Sequence, residues 1–507
     1  MLQIFIVLAV VVSGASILAV EILGTRLLGP FYGVSLYLWS ALIGITLAAL
    51  SVGYALGGRR ADSDPSVRNF CWPIALAGLW IIVIPWLRHP VIEAFASLDM
   101  RAALLITGTI LFFPPLALLG TVSPMAIRLK AATLDEVGRT AGNLYALSTL
   151  ASVAAALGTG FYLVPHMGVA RLTYLIGLLL VLTAVLGLVL DRRGKVGFAV
   201  GLAVLVAGAG AYSLAPVARA MPEVGLLDVR QSAYAEIRVL EQNDLRFMLI
   251  DGGPHTIVDP ADWVSDYGYI DVLELCKRFY EEPGRLLLVG LGGGSVAKVF
   301  HRDGWAVETV EIDPVVSEVA LAWFGLRPEE TVIHHMDGRQ FLLQNEQPFD
   351  LVILDAFGSS SIPFHLITTE AFALTRSRLA PGGVLAMNLE SIGWHDIIVH
   401  SVAATLGEVF THVKVLPMEE PPSEFGNIIL LASDNPLALD AELPVPQQRW
   451  SLAYNQSHAW DNSFTVPRGS APLITDDLNK VDIWSNRINL ASRKQLHDYF
   501  GTGYLDW

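Results

Sequence analysis

The sequence predicts an all-α membrane bundle of about seven helices, followed by an α/β domain with a small β-hairpin region at its start. Three observations predict it. Hydrophobic residues fill 53% of 507 positions and mean hydropathy is +0.51, above the usual range of soluble proteins. Residues 1–220 carry 14 Lys and Arg against 8 Asp and Glu, while the remainder carries 19 against 40. Halves so different in charge suit different surroundings. From about residue 286, strand-like and helix-like patterns alternate, as they do in a mostly parallel sheet covered by helices. The expected boundaries are 1–216 for the bundle, 217–228 for a linker and 229–507 for the second domain.

Apolar runs near the ~20 residues needed to cross a bilayer occur at about 2–23, 34–57, 70–87, 102–120, 142–165, 171–190 and 197–216. Their Gly, Ala and Ser content lets helix backbones approach closely in lipid. The first run lacks a basic leader and a cleavage site, so it reads as a retained helix. Glu21 and Arg26 lie within or at the end of that run, and a carboxylate in lipid is costly enough to mark a candidate site. Pro114, Pro115 and Pro124 are expected to kink or end the fourth span. The basic residues Arg59, Arg60, Arg68, Arg128, Lys130, Arg139, Arg192, Arg193 and Lys195 fall in the second, fourth and sixth links, which the positive-inside rule makes cytoplasmic. Seven crossings then put the second domain outside. A nucleoside cofactor is expected in the cytoplasm, so the two expectations disagree. The two cysteines, Cys71 and Cys276, lie far apart and offer neither a disulfide framework nor zinc spacing.

In the second half, Gln242-Asn243-Asp244 is the expected turn of a β-hairpin that enters a third strand. A helix is expected over about 266–280. The alternating strands and helices then run through 286–291, 295–302, 306–312, 314–323, 331–335, 351–354, 368–378 and 384–389. Beyond about 435 no strong period returns until a final helix-like segment. The acidic surface excludes a nucleic-acid partner, which needs a basic face, and suits a cationic substrate.

The segment 286–313 carries the chemistry. Gly290, Gly292, Gly293 and Gly294 form the first strand-to-helix turn, where a residue without Cβ lets a ligand approach the main chain. The helix N-terminus beyond it adds N–H donors. The motif GxxxxGK[ST] is absent, which removes a P-loop. Glu311 closes the second strand beside Ile312, where an acid can accept both hydroxyls of a ribose. Asp337-Gly338 follows the third strand, where a carboxylate can accept from an adenine amino group. Asp355 ends the fourth. Acids at successive strand ends face one crevice, which suits an adenosyl ligand on a Rossmann-like sheet. Each acid taken alone also reads as a helix N-cap. Asp355 is the expected reacting group, able to orient an attacking amine and take its proton. Tyr267 or Tyr269 can assist with a phenol. His365 lines the site or caps the next helix, and Asp476 and Asp477 close over the pocket or serve as caps.

At these residues the chain resembles the polyamine (spermidine) synthase family of class I S-adenosylmethionine-fold enzymes, over roughly 228–435. Gln231-Ser232-x-Tyr234 resembles that family's opening Q-S-x-Y strand and Leu249-Ile250-Asp251-Gly252 its L-x-D-G turn. Tyr269 falls at the tyrosine of its Y-H-E motif, and Gly290–Ser295 resembles its G-G-G-D-G-G loop. Glu311-Ile312-Asp313 and Asp337-Gly338 match its ribose and adenine positions, and Asp355 the first acid of its D-S-S-D-P segment. Asp355-Ala356-Phe357 and Pro363-x-His365-Leu366, with the membrane half, are similar to the transmembrane spermidine synthase-like subgroup. The resemblance implies an aminopropyltransferase in a bacterial-type inner membrane. It would take decarboxylated S-adenosylmethionine or S-adenosylmethionine and a small amine, release methylthioadenosine and need no metal. A homodimer is compatible with it. It assigns Gln231, the glycine loop, Glu311, Ile312, Asp337, Gly338 and Asp355 to the nucleoside. Asp271, His365, Asp476 and Asp477 are acceptor-side candidates.

Three departures bear on the acceptor. The loop aspartate is Gly293, the second acid of D-S-S-D-P is Gly358, and the Y-H-E carboxylate is replaced by Asp271. Two other readings stay open. One is methyl transfer or acceptor-free cleavage of intact S-adenosylmethionine. The other is a transporter or sensor whose second domain binds nucleoside without turnover.

Overall fold

The computed structural model describes residues 1–32, 36–95, 98–131, 133–191, 225–356, 363–419, 421–439, 442–443 and 452–500. The seventh expected span, most of the linker, Arg192, Arg193, Lys195, Phe357 and Gly358 lie outside the described residues. The chain divides into two compact units, one holding the N-terminal helices and the other nearly all that follows residue 225.

Among the described residues of the first unit six helices are long and apolar enough to cross a membrane: Leu2–Tyr32, Leu36–Ser63, Val67–Ala94, Arg101–Lys130, Val137–Met167 and Val169–Leu190. Each contains or overlaps one of the first six apolar runs. Most continue past the run, since a helix keeps its backbone bonds where its side chains turn polar. Pro114 and Pro115 do not end the fourth helix, which holds from Met100 to Gly120 and breaks only at Thr121, before Val122–Lys130. The fifth passes through a π turn at Thr159–Leu163. Close backbone approach explains the small residues: a Cβ on Gly78 would stand 2.6 Å from the Gly177 carbonyl oxygen. Glu21 is hydrogen-bonded to Thr46 of the next helix.

The second unit holds two sheets. The smaller has the order β1-β2-β3-β4 (Leu226–Gln231, Glu236–Gln242, Leu245–Ile250 and Gly253–Val258). The expected hairpin is β2–β3. Asn243 and Asp244 take φ of 53° and 63° at its turn, the paired left-handed geometry that matches strand twist.

The larger sheet has seven strands in the order β10-β11-β9-β8-β5-β6-β7. These are β5 Arg285–Val289, β6 Ala306–Glu311, β7 Val332–His335, β8 Phe349–Leu354, β9 Leu379–Ile392, β10 His412–Pro417 and β11 Phe425–Ser433. The strands β5 to β9 run parallel, and β10 and β11 add antiparallel to β9. Leu286, Leu287 and Leu288 are each 0% exposed. Consecutive burial of this kind means both sheet faces are covered, which is why β5 reads as an unbroken apolar run. The helix expected over 266–280 is α-helical only over Gly268–Leu273 and tightens to a 3₁₀ helix over Glu274–Phe279. Helices at Ile397–Val409 and Leu452–Asp461, with β10 and β11, fill stretches the periodicity left unassigned.

Replacing Gly78 with Leu is expected to force its helix off the Val169–Leu190 helix and destabilise the protein by about 1–3 kcal/mol, the usual cost of overpacking. A thermal-unfolding midpoint in detergent equal to that of the wild type would contradict this packing.

Candidate active site

The ends of β5, β6, β8 and β9 open on a cavity of about 220 Å³. The glycine turn forms its floor. Gly290 has φ of 96°, and a Cβ there would stand 2.3 Å from the Asp355 carbonyl oxygen, so only glycine fits between β5 and β8. Gly290, Leu291, Gly292 and Ser295 line the cavity, whereas Gly293 and Gly294 do not. The Gly293 N–H donates to Thr256 Oγ1 at 2.8 Å. A Cβ on Gly293 would meet Thr256 Cγ2 at 2.7 Å and Phe324 at 3.0 Å. The packing therefore leaves no room for an acid side chain at this point of the loop.

Glu311, at the end of β6, accepts from the Leu291 N–H at 3.0 Å and from the Asp313 N–H at 2.9 Å. Burial raises its pKa to about 7 even though these donors favour the charged form. Ile312 lines the wall beside it. Asp337 caps the helix Gly338–Gln344, accepting from the Gln340 N–H at 3.0 Å, and its Oδ2 lies 2.7 Å from His365 Nε2. The His365 hydrogen bond holds Asp337 below the ordinary carboxylate range. Gly338 lies under it, where a Cβ would meet Val289 Cγ1 at 2.4 Å.

Asp355 follows β8. Its Oδ1 accepts from Asn388 Nδ2 at 2.9 Å and its Oδ2 from the Tyr269 hydroxyl at 3.0 Å. Burial raises its pKa to about 6 against the opposing pull of those two donors. The Tyr267 and Tyr269 rings lie 5.6 Å apart, and burial keeps both phenols protonated far above neutral pH.

Sequence reasoning missed Glu390. It stands two residues beyond Asn388 on β9, hence on the same face, and lines the cavity. Burial and then the charge of Asp355 raise its pKa to about 7. The available signal was an acid closing the apolar strand VLAMNLE, as Glu311 and Asp355 close theirs. His255 also lines the cavity, and burial lowers its pKa to about 4, so it is neutral at pH 7.

Other acids expected near the acceptor have partners elsewhere. Asp271 accepts from Asn455 Nδ2 at 2.7 Å and does not line the cavity. Asp476 holds Arg339 through two bonds of 2.7 and 2.6 Å and also accepts from Thr368 Oγ1 at 2.8 Å. Asp477 is exposed and away from the cavity, and Gln231, at the end of β1, does not line it either. Among the described residues, no group of three or more His, Cys, Asp or Glu is arranged to hold a metal. Among the described residues that line the cavity none is Lys or Arg, while Glu311, Asp337, Asp355 and Glu390 all stand in its wall.

A Rossmann-like sheet with an acidic crevice at its carboxyl strand ends has the place where open α/β folds bind their ligands. The spermine/spermidine synthase domain profile matches residues 270–434. A polyamine aminopropyltransferase of Vibrio vulnificus is 31% identical over 222 residues, spanning 41% of this chain and 71% of that protein. A polyamine aminopropyltransferase of Oceanobacillus iheyensis is 26% identical over 459 residues, spanning 83% of this chain and 84% of its own length. A solved probable spermidine synthase from Corynebacterium glutamicum aligns at 23% identity with a TM-score of 0.38, over 41% of this chain and 80% of that one. The chain belongs to the polyamine aminopropyltransferase family and is a transferase of the polyamine synthase type.

Glu311, Asp355 and Glu390 each have a folded pKa above the unfolded value. Such a group contributes stability below its unfolded pKa and loses it as pH rises through the folded pKa. The ligand-free protein is expected to lose stability between about pH 4 and 7 on this account. Glu390→Gln should flatten part of that fall and raise the unfolding temperature at pH 8. An E390Q protein less stable than wild type at pH 8 would contradict the assigned burial.

Proposed function

We propose that the protein is a membrane-bound aminopropyltransferase that takes decarboxylated S-adenosylmethionine and a small amine and releases methylthioadenosine. The observation that carries this reading is the lining of the cavity: among the described residues, four carboxylates and no Lys or Arg. Both co-substrates are cationic, and a desolvated cation needs paired carboxylates. A donor that kept its own carboxylate would meet no Lys or Arg among those residues.

In this reading Glu311 accepts from the ribose and Asp337 from the adenine, with Ile312, Gly338 and the glycine turn as walls. Asp355, Tyr269 and Glu390 surround the reacting end. The acceptor nitrogen attacks the carbon bonded to the sulfonium. The carbon–nitrogen bond forms, the carbon–sulfur bond breaks, and its electron pair stays on sulfur in neutral methylthioadenosine. The proton released by the amine passes to Asp355 and then to solvent. An amine has an unperturbed pKa near 10, so removal of that proton is what makes it a nucleophile, and a buried carboxylate of raised pKa is matched to accept it. Tyr269, held in its protonated form, keeps Asp355 oriented. Glu390 balances the charge of the amine beside it. The six apolar helices anchor the enzyme in a bilayer, with the soluble domain on the cytoplasmic side, where the nucleoside is found. The domain limits 1–216 and 229–507 express this division of labour.

Purified full-length protein given decarboxylated S-adenosylmethionine and a panel of amines is expected to release methylthioadenosine. Asp355→Asn should lower kcat by about 10²–10⁴-fold, the usual worth of a positioned base. Glu390→Gln should act mainly on KM for the amine. Adenosylhomocysteine as the product would instead mean methyl transfer from intact S-adenosylmethionine. The absence of any nucleoside product with every amine would overturn the reading.

A further inference from the structure

The two donors that hold Asp355 differ in kind. The Tyr269 hydroxyl is a donor that rotates to suit its acceptor, whereas the Asn388 amide has a donor end and an acceptor end. An ionised carboxylate only accepts, so Asn388 must turn its NH₂ toward Asp355 and its carbonyl away. Asn388 is 3% exposed, so that carbonyl cannot rely on bulk water. Asn427 supplies the partner, its Nδ2 donating to Asn388 Oδ1 at 3.0 Å. Strand register makes this contact. Asn427 pairs with Glu390 and Ile429 with Asn388 in the β11–β9 ladder. The side chain at 427 thus lies diagonal to Asn388 on the same face, while the residue directly opposite Asn388 is apolar.

We propose that Asn427 is a positioning residue for Asp355: it locks the Asn388 amide in the orientation that donates to the carboxylate and so sets the pH range in which Asp355 accepts a proton. This rests on Asp355 being the proton acceptor proposed above. With Asn427 replaced by an apolar residue, the Asn388 carbonyl has no donor and the amide is free to turn over. Once turned, its oxygen faces Asp355 Oδ1 and can accept only from the protonated carboxyl. The charged form of Asp355 loses a hydrogen bond and gains a repulsive dipole, so the proton stays on to higher pH. The other titratable groups facing Asp355 are Tyr267 and Tyr269, ahead of and within the helix Gly268–Leu273, and Glu390 on β9. Glu390 also stands opposite Asn427, so its titration has to be separated from that of Asp355.

The test uses full-length protein in detergent and an infrared pH titration of the protonated-carboxyl band that vanishes in Asp355→Asn, all in an E390Q background. That band is expected to titrate near pH 6 with Asn427 present. In Asn427→Leu the midpoint should rise by about one pH unit, a tenfold change in acidity, as fits the loss of one hydrogen bond to a charged group. Asn388→Leu should shift it at least as far, and adding N427L to N388L should shift it no further. Asn427→Ser, a smaller change, gives a second reading should N427L unfold. The acidic limb of the kcat profile should move with the band. A midpoint unchanged in both Asn427 variants, shifts that add in the double variant, or a change confined to KM for the amine would each overturn the proposal. Failure of the wild type to release any nucleoside product would overturn the functional reading, while the titration would still decide the relay.

Discussion

Negative charge gathered in one cavity wall, with no Lys or Arg among its described residues, governs this site. Glu311, Asp355 and Glu390 converge there, and burial pushes each one's pKa above its ordinary value. A carboxylate costs free energy in such surroundings unless it is paired. Charged together, these acids hold the site away from its electrostatic optimum. A ligand that brings positive charge relieves the penalty, and a neutral or anionic one does not. In the proposed reading, preference for cations comes from the composition of the whole wall as much as from any single contact.

The sheet sustains this arrangement by tying the acids to the main chain. Glu311 accepts from Leu291 and Asp313, so the residue expected at the ribose also braces the glycine turn. Gly290 brings that turn against the backbone of Asp355, where any side chain would collide. The Asp355 N–H in turn donates to the Val289 carbonyl at 2.8 Å, which closes the link between β5 and β8 and fixes the height at which the Asp355 carboxylate enters the cavity. The functional and structural roles of these acids are thus one set of bonds. Removing a carboxylate would disturb the loop as well as the charge.

How much of this was legible in the sequence follows from where each partner comes from. The glycine turn, Glu311, Asp337 and Asp355 stand at strand ends that local pattern reveals, and the apolar runs of the first half stand out in the same way. Glu390 was passed over although it closes the apolar stretch VLAMNLE, whereas Asn388 and Asn427 were not legible, because they lie in β9 and β11, whose apolar residues dominate the pattern. Their meaning depends on a register between strands about 40 residues apart, which no local window contains. Asp271 and Asp476 were read toward the acceptor without their partners for a related reason. Their neighbours in sequence give no sign of Asn455 or Arg339, the distant partners that engage them. In the fourth long apolar helix, where prolines were expected to kink or end the span, Pro114 and Pro115 sit inside a helix that carries on to Gly120, and the break falls at Thr121, just ahead of Pro124.

Asp337 differs from the other acids of the cavity. It has a basic partner in His365 and is held below the ordinary carboxylate range, whereas the acids at the reacting end are held above it. Mild acid therefore neutralises Asp355 and Glu390 while Asp337 stays charged. The end of the cavity assigned to adenine keeps its acceptor under conditions in which the reacting end has lost its own. In the proposed reading Asp337 alone among the four acids keeps its charge in mild acid, because Glu311, on the ribose side, titrates near 7 in the same range as the reacting end. Two causes set Asp337 apart: His365 faces it and favours its charged form, while burial raises Asp355 and Glu390 against the pull of neutral donors such as Tyr269 and Asn388.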